Sequence, residues 1–385
     1  MSATHKITIK TLHGLEEVLA QEVRALGGGD AQALTRAVSV SGDMGFVYKC
    51  NLWLRTALRV LVEVGRFKVT NANELYDGIR SIPWEELFDA DKTISIDATV
   101  FSDNFNNSLF VAQKSKDAIA DRFRDRRSKR PSVDTQRPQV RIQVHIVKGL
   151  AWVSLDSSGD SLHKRQYRRA VDRAPLSEVL AAGILLLSGW DAKSHLFDPM
   201  CGSGTFLTEA ALMAHNIPPN IFRKSYAFQY WKAYDEELFQ FIFDKSLEKE
   251  QAFDFRIVGW DQNGTALRKA RSNAKSALMD EVIELEQADF LEQEPPEFSG
   301  PVTLVMNPPY GEKIAVDVEA LYGELGRRLK FHYQGRSAWF FSGSDEGIHK
   351  LGLRYSKRYD LFNAKLPCKL LRYDLYPGSR KEGRK

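Results

Sequence analysis

The chain reads as an α/β protein whose larger part is a mostly parallel sheet, preceded by smaller α+β units. Three observations carry that reading. Short apolar runs at 194–197, 255–261, 283–290, 303–306 and 337–342 alternate with helical patterns, as strands and crossover helices do. One run passes through a glycine-rich turn straight into a helix, in Phe197–Ala211, FDPMCGSGTFLTEAA. Another is stopped abruptly by Asn307, Pro308, Pro309 and Tyr310, within Thr303–Lys313, TLVMNPPYGEK.

The bounds are permissive. A length of 385 residues accommodates two or three domains, and 43% hydrophobic with 27% charged residues is the composition of a soluble globular protein. A net charge of +4 is too small to define a partner. There is no run of about 18 apolar residues, and Met1–Lys10 is polar and alternating, so neither a membrane span nor a signal peptide is expected. Cys50, Cys201 and Cys368 are too scattered for a disulfide framework or a zinc site; a reduced, cytoplasmic protein without structural metal is expected.

In chain order, the alternating Ile7–Lys10 predicts a strand, and Leu15, Val18, Leu19, Val23 and Leu26 predict a helix over 14–26 that Gly27, Gly28 and Gly29 end. Strands are expected at 37–41, 45–48 and 59–67 with a helix at 52–57, making residues 1–67 a ferredoxin-like unit. Residues 68–157 form a second α+β unit: helix 72–81, strand 93–101, basic helix 109–127, and strands 139–147 and 150–157. Residues 158–385 form the third part. The polar 156–172 stretch reads as a linker and leading helix, and 176–187, apolar nearly all round, as a buried helix. A helix over 207–215 precedes Ile217–Phe243, which holds two prolines and nine aromatics. It is expected as an inserted helical layer on the sheet, or as a pocket wall in which Phe228, Tyr230 or Trp231 touches a flipped base. It lengthens the interval from glycine loop to Asp261 to about three times the roughly 20 residues of a simple dinucleotide unit. A helix at 319–329 follows, then strands 357–365 and 369–376 joined through Leu-Pro-Cys, a terminal antiparallel hairpin. The basic tail 378–385 is expected to be disordered.

The motifs carry chemistry. Gly202 and Gly204 remove Cβ atoms where a ligand approaches backbone N–H groups, and Asp198 ends the preceding strand with a carboxylate. No lysine follows the last glycine, and the spacing is not that of a nucleotide phosphate loop. An acid beside the loop repels pyrophosphate and welcomes a cation; S-adenosylmethionine carries an ammonium and a sulfonium and no phosphate. Asp261 and Asp289 end successive strands, placed for ribose hydroxyls and an adenine amino group, with Phe290 covering the ring. Asn307 and the Pro308 carbonyl can be held rigidly as paired acceptors beside Tyr310, which suits a planar exocyclic amino group. Two segments are basic: Arg122, Arg124, Arg126, Arg127, Lys129 and Arg130 around a single Asp125, and His163, Lys164, Arg165, Arg168, Arg169 and Arg173. Together with Lys114, Lys116, Arg137 and Arg141 they form an electrostatic footprint for phosphates.

On these motifs the chain resembles the class I S-adenosylmethionine-dependent methyltransferases, and among them the THUMP-domain RNA methyltransferases, closest to the bacterial 23S ribosomal RNA guanine-N2 methyltransferase family. The resemblance covers nearly the whole sequence. It implies a Rossmann-like catalytic domain behind ferredoxin-like and THUMP units. It implies a cofactor site of Pro175, Asp198, Pro199, Gly202, Gly204, Thr205, Asp261, Asp289, Phe290 and Asn307, and an amino-group acceptor site of Asn307, Pro308 and Tyr310. His163–Arg168, HKRQYR, and Ala174–Leu176, APL, resemble the segment that leads into the first catalytic strand; Gln166 stands where many relatives have glycine. Some longer relatives add a second methyltransferase domain, for which this sequence is too short. The RNA contacts expected are Arg122, Arg124, Arg126, Arg127, Lys129, Arg130, Lys164, Arg165 and Arg168, in a monomer or weak dimer without membrane or metal partners.

The reaction so implied is methyl transfer to a flipped-out base, with Asn307 and Pro308 accepting amino hydrogens and Tyr310 stacking. Cys201 is a small packed residue. Guanine N2 and ribosomal RNA come from the resemblance; adenine N6, a transfer RNA, a glutamine side chain, or a non-catalytic RNA-binding role fit the motif residues as well.

Overall fold

A computed structural model describes residues 4–169, 176–310 and 317–377. In chain order the elements are β1 (His5–Thr11), α1 (Glu16–Ala25), β2 (Gln32–Leu34), β3 (Ala37–Gly42), α2 (Met44–Trp53), β4 (Ala57–Lys68), α3 (Ala72–Ser81), α4 (Trp84–Leu87), β5 (Thr93–Phe101), α5 (Ser108–Arg127), β6 (Ser132–Val133), β7 (Val140–Val147) and β8 (Leu150–Asp156). Then come α6 (Glu178–Ser188), β9 (His195–Asp198), α7 (Thr205–Ala214), α8 (Glu236–Leu247), β10 (Ile257–Asp261), α9 (Gly264–Ser276), β11 (Ile283–Gln287) and β12 (Val302–Met306). The chain closes with α10 (Val318–His332), β13 (Ser337–Ser342), α11 (Asp345–Lys350), β14 (Lys357–Asn363) and β15 (Leu366–Asp374).

The chain divides into two units. The first comprises Met1–Thr11, Leu19–Leu162 and Arg223–Lys245; the second comprises Leu12–Val18, His163–Phe222 and Ser246–Lys385.

In the first unit a single eight-stranded sheet, ordered β2-β3-β1-β4-β8-β7-β5-β6, runs through both N-terminal α+β segments. The twelve-residue β4 makes this possible, pairing antiparallel with β1 and with β8. Along β7 strictly alternating residues are buried, as in a sheet covered on one face. The strand expected at 45–48 is instead part of helix α2. Asp43 caps that helix by accepting from the Phe46 N–H at 2.8 Å. Its Val47, Tyr48 and Leu52 are buried, so burial outweighs the strand propensity of Phe-Val-Tyr.

The aromatic insertion is also reassigned. Residues 223–245 belong to this first unit rather than forming a layer on the catalytic sheet. Phe228 is fully buried, its ring 4.7 Å from Tyr48, 5.0 Å from Tyr226 and 5.2 Å from Phe239. The Asp235 N–H donates to the Tyr48 hydroxyl at 3.0 Å. Phe228 and Trp231 are enclosed and unavailable to a base, while Tyr230 stays exposed.

The second unit holds a seven-stranded sheet, ordered β11-β10-β9-β12-β13-β15-β14. The first five run parallel; β15 pairs antiparallel with β13, and β14 antiparallel with β15. The hairpin turn lies at Ala364–Lys365 with Ala364 at φ 55°, while Leu366, Pro367 and Cys368 belong to β15 itself. Phe197, Trp260, Leu304, Phe340 and Tyr333 centre the core. Gly259 lies where a Cβ would come within 2.2 Å of Leu207, so only glycine lets α7 sit against β10. The expected leading helix does not form over 157–169; that stretch is irregular, with Leu162, Arg165 and Tyr167 buried. Among the described residues no helix is long and apolar enough to cross a membrane. The basic tail and Arg173 lie outside the described residues.

Candidate active site at the carboxyl edge of the parallel sheet

Three neighbouring strands deliver the site. β10, β9 and β12 pair in register, Gly259 beside Asp198 and Leu304 beside Phe197, so their carboxyl ends share one edge of the sheet. In an open α/β sheet ligands bind at that edge.

β9 ends in Asp198, buried to 1% exposure, and passes through buried Pro199 into the glycine loop. The loop is held by its backbone. Met200 N–H donates to Asp198 Oδ1 at 3.2 Å, Cys201 N–H to the Trp260 carbonyl at 2.8 Å, and Gly202 N–H to Asp261 Oδ2 at 2.8 Å. Asp261 Oδ1 takes a further N–H from Asn263, at 2.8 Å. The acid expected to face a ribose thus also ties the glycine loop to the end of β10. The two glycines differ. Gly202, at φ 54°, has nothing within 4 Å of a would-be Cβ, leaving that side open. Gly204, at φ 76°, faces Ala270 at 3.0 Å, so its missing Cβ makes room for α9 rather than for a ligand. Burial first, and then the charge of Asp261, pushes the Asp198 carboxyl well above the usual range. Two acids so placed call for a cation.

At β11, Asp289 Oδ1 accepts from the Leu291 N–H at 2.9 Å. Phe290 does not cover a ligand ring. It is 1% exposed, within 5.2 Å of Tyr333 in the core, where an aromatic gains most by burial.

β12 stops at Asn307. Its Oδ1 is enclosed and has no hydrogen-bond partner among the described residues. A buried acceptor left unpaired costs free energy, so such atoms mark places built for something else. Pro308 is buried beside it. The Tyr310 hydroxyl accepts from Asn363 Nδ2 at 3.1 Å, with Cys368 Sγ at 3.9 Å. Phe341 meets its ring edge-on at 6.3 Å. Burial raises the Tyr310 pKa, keeping the phenol neutral. Residues 311–316, with the Gly311 that completes the NPPYG motif, lie outside the described residues, as does Pro175.

The basic segments separate. Arg165 is fully buried: its guanidinium lies 3.5 Å from Glu209 and donates to Asn220 Oδ1 at 3.3 Å, while the Tyr167 hydroxyl donates to Glu209 at 2.9 Å. Arg168 donates to the Leu176 carbonyl at 2.9 Å and to Thr205 Oγ1, with Glu178 at 3.4 Å, and so tethers the first residue of α7. Neither guanidinium is free for a phosphate, because each is consumed inside the fold. Arg122 is likewise occupied. Two of its nitrogens donate to Glu85 at 2.7 and 2.8 Å and hold that carboxyl down to about 2. Arg124, Arg126, Arg127, Lys129, Arg130 and Lys164 are exposed, Arg124 beside Asp121 at 2.8 Å.

Sequence reasoning missed Asn363 and Cys368 behind Tyr310, and Asn273, whose side chain donates to the Ser203 carbonyl at 3.1 Å and accepts from Arg169 N–H at 3.1 Å. It also missed Glu209, for which a signal existed: a carboxylate inside the otherwise apolar helix TFLTEAALMA.

Comparison with known proteins gives the family. The profile described as RMKL-like, methyltransferase domain, matches residues 165–372, that of the THUMP domain residues 69–156, and that of the RlmL ferredoxin-like domain residues 6–61. Fold and site together define a class I methyltransferase whose cofactor is S-adenosylmethionine. The chain belongs to the RMKL-like methyltransferase family, with RlmL ferredoxin-like and THUMP domains ahead of the catalytic one. It is 38% identical over 97% of its length to a Synechocystis protein bearing a provisional RNA methyltransferase name, covering 98% of that protein. It is 37% identical over 97% of its length to the ribosomal RNA large subunit methyltransferase K/L of Syntrophotalea carbinolica, but spans only 54% of that longer protein. A provisionally assigned methyltransferase crystallised with SAH, the demethylated product of the cofactor, matches 98% of this chain and 100% of its own at 28% identity, with a TM-score of 0.86. The residues present fit that cofactor: buried Asp198 for a cationic group, Asp261 at the end of the next strand for the ribose, and the open side of Gly202 for close approach to the loop.

Proposed function

We propose that the protein transfers a methyl group from S-adenosylmethionine to the exocyclic N2 of a guanine in RNA, with large-subunit ribosomal RNA as substrate. The observation that carries the reading is the enclosed Oδ1 of Asn307, unpartnered among the described residues, at the end of β12 beside the glycine loop. The ribosomal substrate rests on the names of relatives such as the K/L methyltransferase, and guanine N2 on the motif resemblance.

In this reading Asp198, Pro199, Gly202, Thr205, Asp261 and Asp289 hold the cofactor, which supplies a methyl already activated on a sulfonium. The protein's work is alignment and exclusion of water. Asn307 Oδ1 and the Pro308 carbonyl each accept one amino hydrogen, drawing the conjugated nitrogen toward tetrahedral geometry and freeing its lone pair. That stabilisation is realised chiefly in the transition state. Tyr310 stacks on the flipped base, its ring fixed through Asn363. Bound there, the cofactor would give its methyl to the amino nitrogen and leave as the neutral thioether, and the methylated amine would release one proton to solvent. Residues 1–67 and 68–157 serve as ferredoxin-like and THUMP RNA-holding domains for the catalytic domain of 158–385. Arg124, Arg126, Arg127, Lys129, Arg130 and Lys164 are the phosphate contacts, and the setting is cytoplasmic.

The test is transfer of labelled methyl to ribosomal and transfer RNA from cells lacking the protein, followed by nucleoside analysis. N2-methylguanosine in large-subunit ribosomal RNA is the expected product. Label in transfer RNA, or as N6-methyladenosine, would keep the chemistry and replace the substrate; no label in either would remove the reading.

A further inference from the structure

A second surface of the N-terminal unit, distinct from the basic end of α5, has the makings of a binding site. Strand register aligns two rows across β5, β7, β8 and β4. The outer row is Phe101, Val147, Leu150 and Lys68; the inner is Thr99, His145, Trp152 and Arg66. Their side chains lie on the face of the sheet that alternates with the buried positions of β7 and β8. The rings form a line. Phe101 and His145 are 6.0 Å apart at 74°, His145 and Trp152 6.0 Å at 41°, and the Arg66 guanidinium lies 5.3 Å from the Trp152 ring centre. Phe101 is 64% exposed. Lys148, in the β7–β8 turn, adds a further exposed cation, its N–H donating to the Phe101 carbonyl at 3.1 Å. Burial, with Lys10 second, lowers the His145 pKa, so the ring is neutral at neutral pH. The next row inward holds Asp97, Gln143, Ser154 and Glu63. There Asp97 accepts from Gln143 at 3.1 Å and lies 3.9 Å from Arg141, which bounds the patch on its acidic side.

A lone exposed aromatic needs no explanation, but a row of rings edged by Arg66, Lys68 and Lys148 is both apolar and cationic. That pairing complements a ligand made of flat π surfaces joined by phosphates. A flat sheet face cannot enter the narrow major groove of an RNA duplex, whereas unpaired bases splay onto aromatic and guanidinium planes. We propose that this patch binds a single-stranded stretch of the RNA substrate, bases stacking on Phe101, His145 and the Trp152–Arg66 pair, with phosphates along Lys68 and Lys148. The proposal rests on the RNA reading above for its choice of partner.

The test uses the full chain, a labelled unstructured RNA oligonucleotide and a matched duplex, with affinities taken across a salt series. The single strand is expected to bind more tightly than the duplex. Phe101→Ser and Trp152→Ser each weaken it by about tenfold without changing the slope of affinity against salt, since stacking releases no counterions. Lys68→Ala instead reduces that slope, by about 0.7. Phe101 is exposed, so Phe101→Ser tests the patch even where Trp152→Ser fails to fold. Unchanged strand binding by Phe101→Ser, or equal binding of strand and duplex, overturns the proposal. Methyl transfer separates it from the reading beneath it. A strand bound through the patch, with no methylation of any RNA, leaves the patch standing and removes the enzyme reading; methylation with an unchanged RNA KM in Phe101→Ser does the reverse.

Discussion

The stretches Arg122–Arg130 and His163–Arg169 look alike when written out, each dense in arginine and lysine. Folded, they differ. The first ends α5, where cations complement the helix dipole and extend into water, and from Arg124 on its side chains are exposed apart from buried Phe123 just before them. The second threads between helices: Arg165 is fully buried against Glu209 and Asn220, and Arg168 is bonded to Leu176 and Thr205. A guanidinium taken from water costs several kcal/mol unless it is paired, and these are paired. The contrast teaches that a cationic run marks a phosphate surface only where nothing inside the fold claims the charge. By the same reasoning Asn307 Oδ1, polar, enclosed and unclaimed among the described residues, belongs with function, and Arg165 with stability.

The largest expected effect tests that division from the functional side. Asn307→Ala should lower methyl transfer by about 10³-fold, as loss of one transition-state contact does. Its melting temperature should hold, and calorimetry should find cofactor affinity within a few fold. Loss of transfer and cofactor binding together would move Asn307 to holding the cofactor, and transfer within about tenfold of wild type would end its role. From the structural side, Arg165→Met should cost about 3 kcal/mol or more in chemical denaturation, because Glu209 is left buried without its cationic partner. Arg126→Ala with Arg127→Ala should shift stability by less than about 0.5 kcal/mol yet reduce the salt slope of RNA binding by about 0.7 each. If Arg165→Met stayed stable but lost RNA, the comparison would be inverted.

Smaller effects sharpen it. Asn363→Ala should slow methyl transfer by about fivefold, the value of one neutral hydrogen bond of roughly 1 kcal/mol. In a Tyr310→Phe background the same change should do almost nothing, since Asn363 acts through that hydroxyl. Additive losses would disconnect the pair. The Asp198 carboxyl has its pKa raised by burial and by Asp261, so its contribution to stability is complete at low pH. That contribution declines as pH climbs from the unfolded value, about 4, toward the raised native one. A cation beside it reverses the preference. Cofactor binding should therefore expel a proton and tighten with rising pH across that window, and calorimetry in two buffers would show neither if Asp198 lay away from the cationic groups. Smallest of all, Gln166 sits at φ 70°, a left-handed conformation, at the position where relatives of this kind are expected to carry glycine. Gln166→Gly should change stability by less than about 1 kcal/mol, whereas Gln166→Val should lose more; equal melting temperatures would mean that the strain is relieved elsewhere.

What could be read directly was local. Alternation in β7, the helical spacing of α1, the glycine turn after β9 and the proline stop after β12 are properties of neighbouring residues, and they led to the α/β class and, through the family resemblance, to the cofactor. Where local signals conflicted the reading slipped: Phe-Val-Tyr at 46–48 favours a strand, yet Asp43 and the buried face of α2 make it a helix. What only the tertiary structure decided depends on partners far along the chain. Tyr310 finds Asn363 53 residues on, Tyr167 finds Glu209 42 residues on, and the aromatic insertion closes on Tyr48. Whether an arginine is solvated or claimed, and whether an acceptor is paired or left open, is settled by such contacts. No window of sequence contains them, because packing brings together groups that the chain keeps apart.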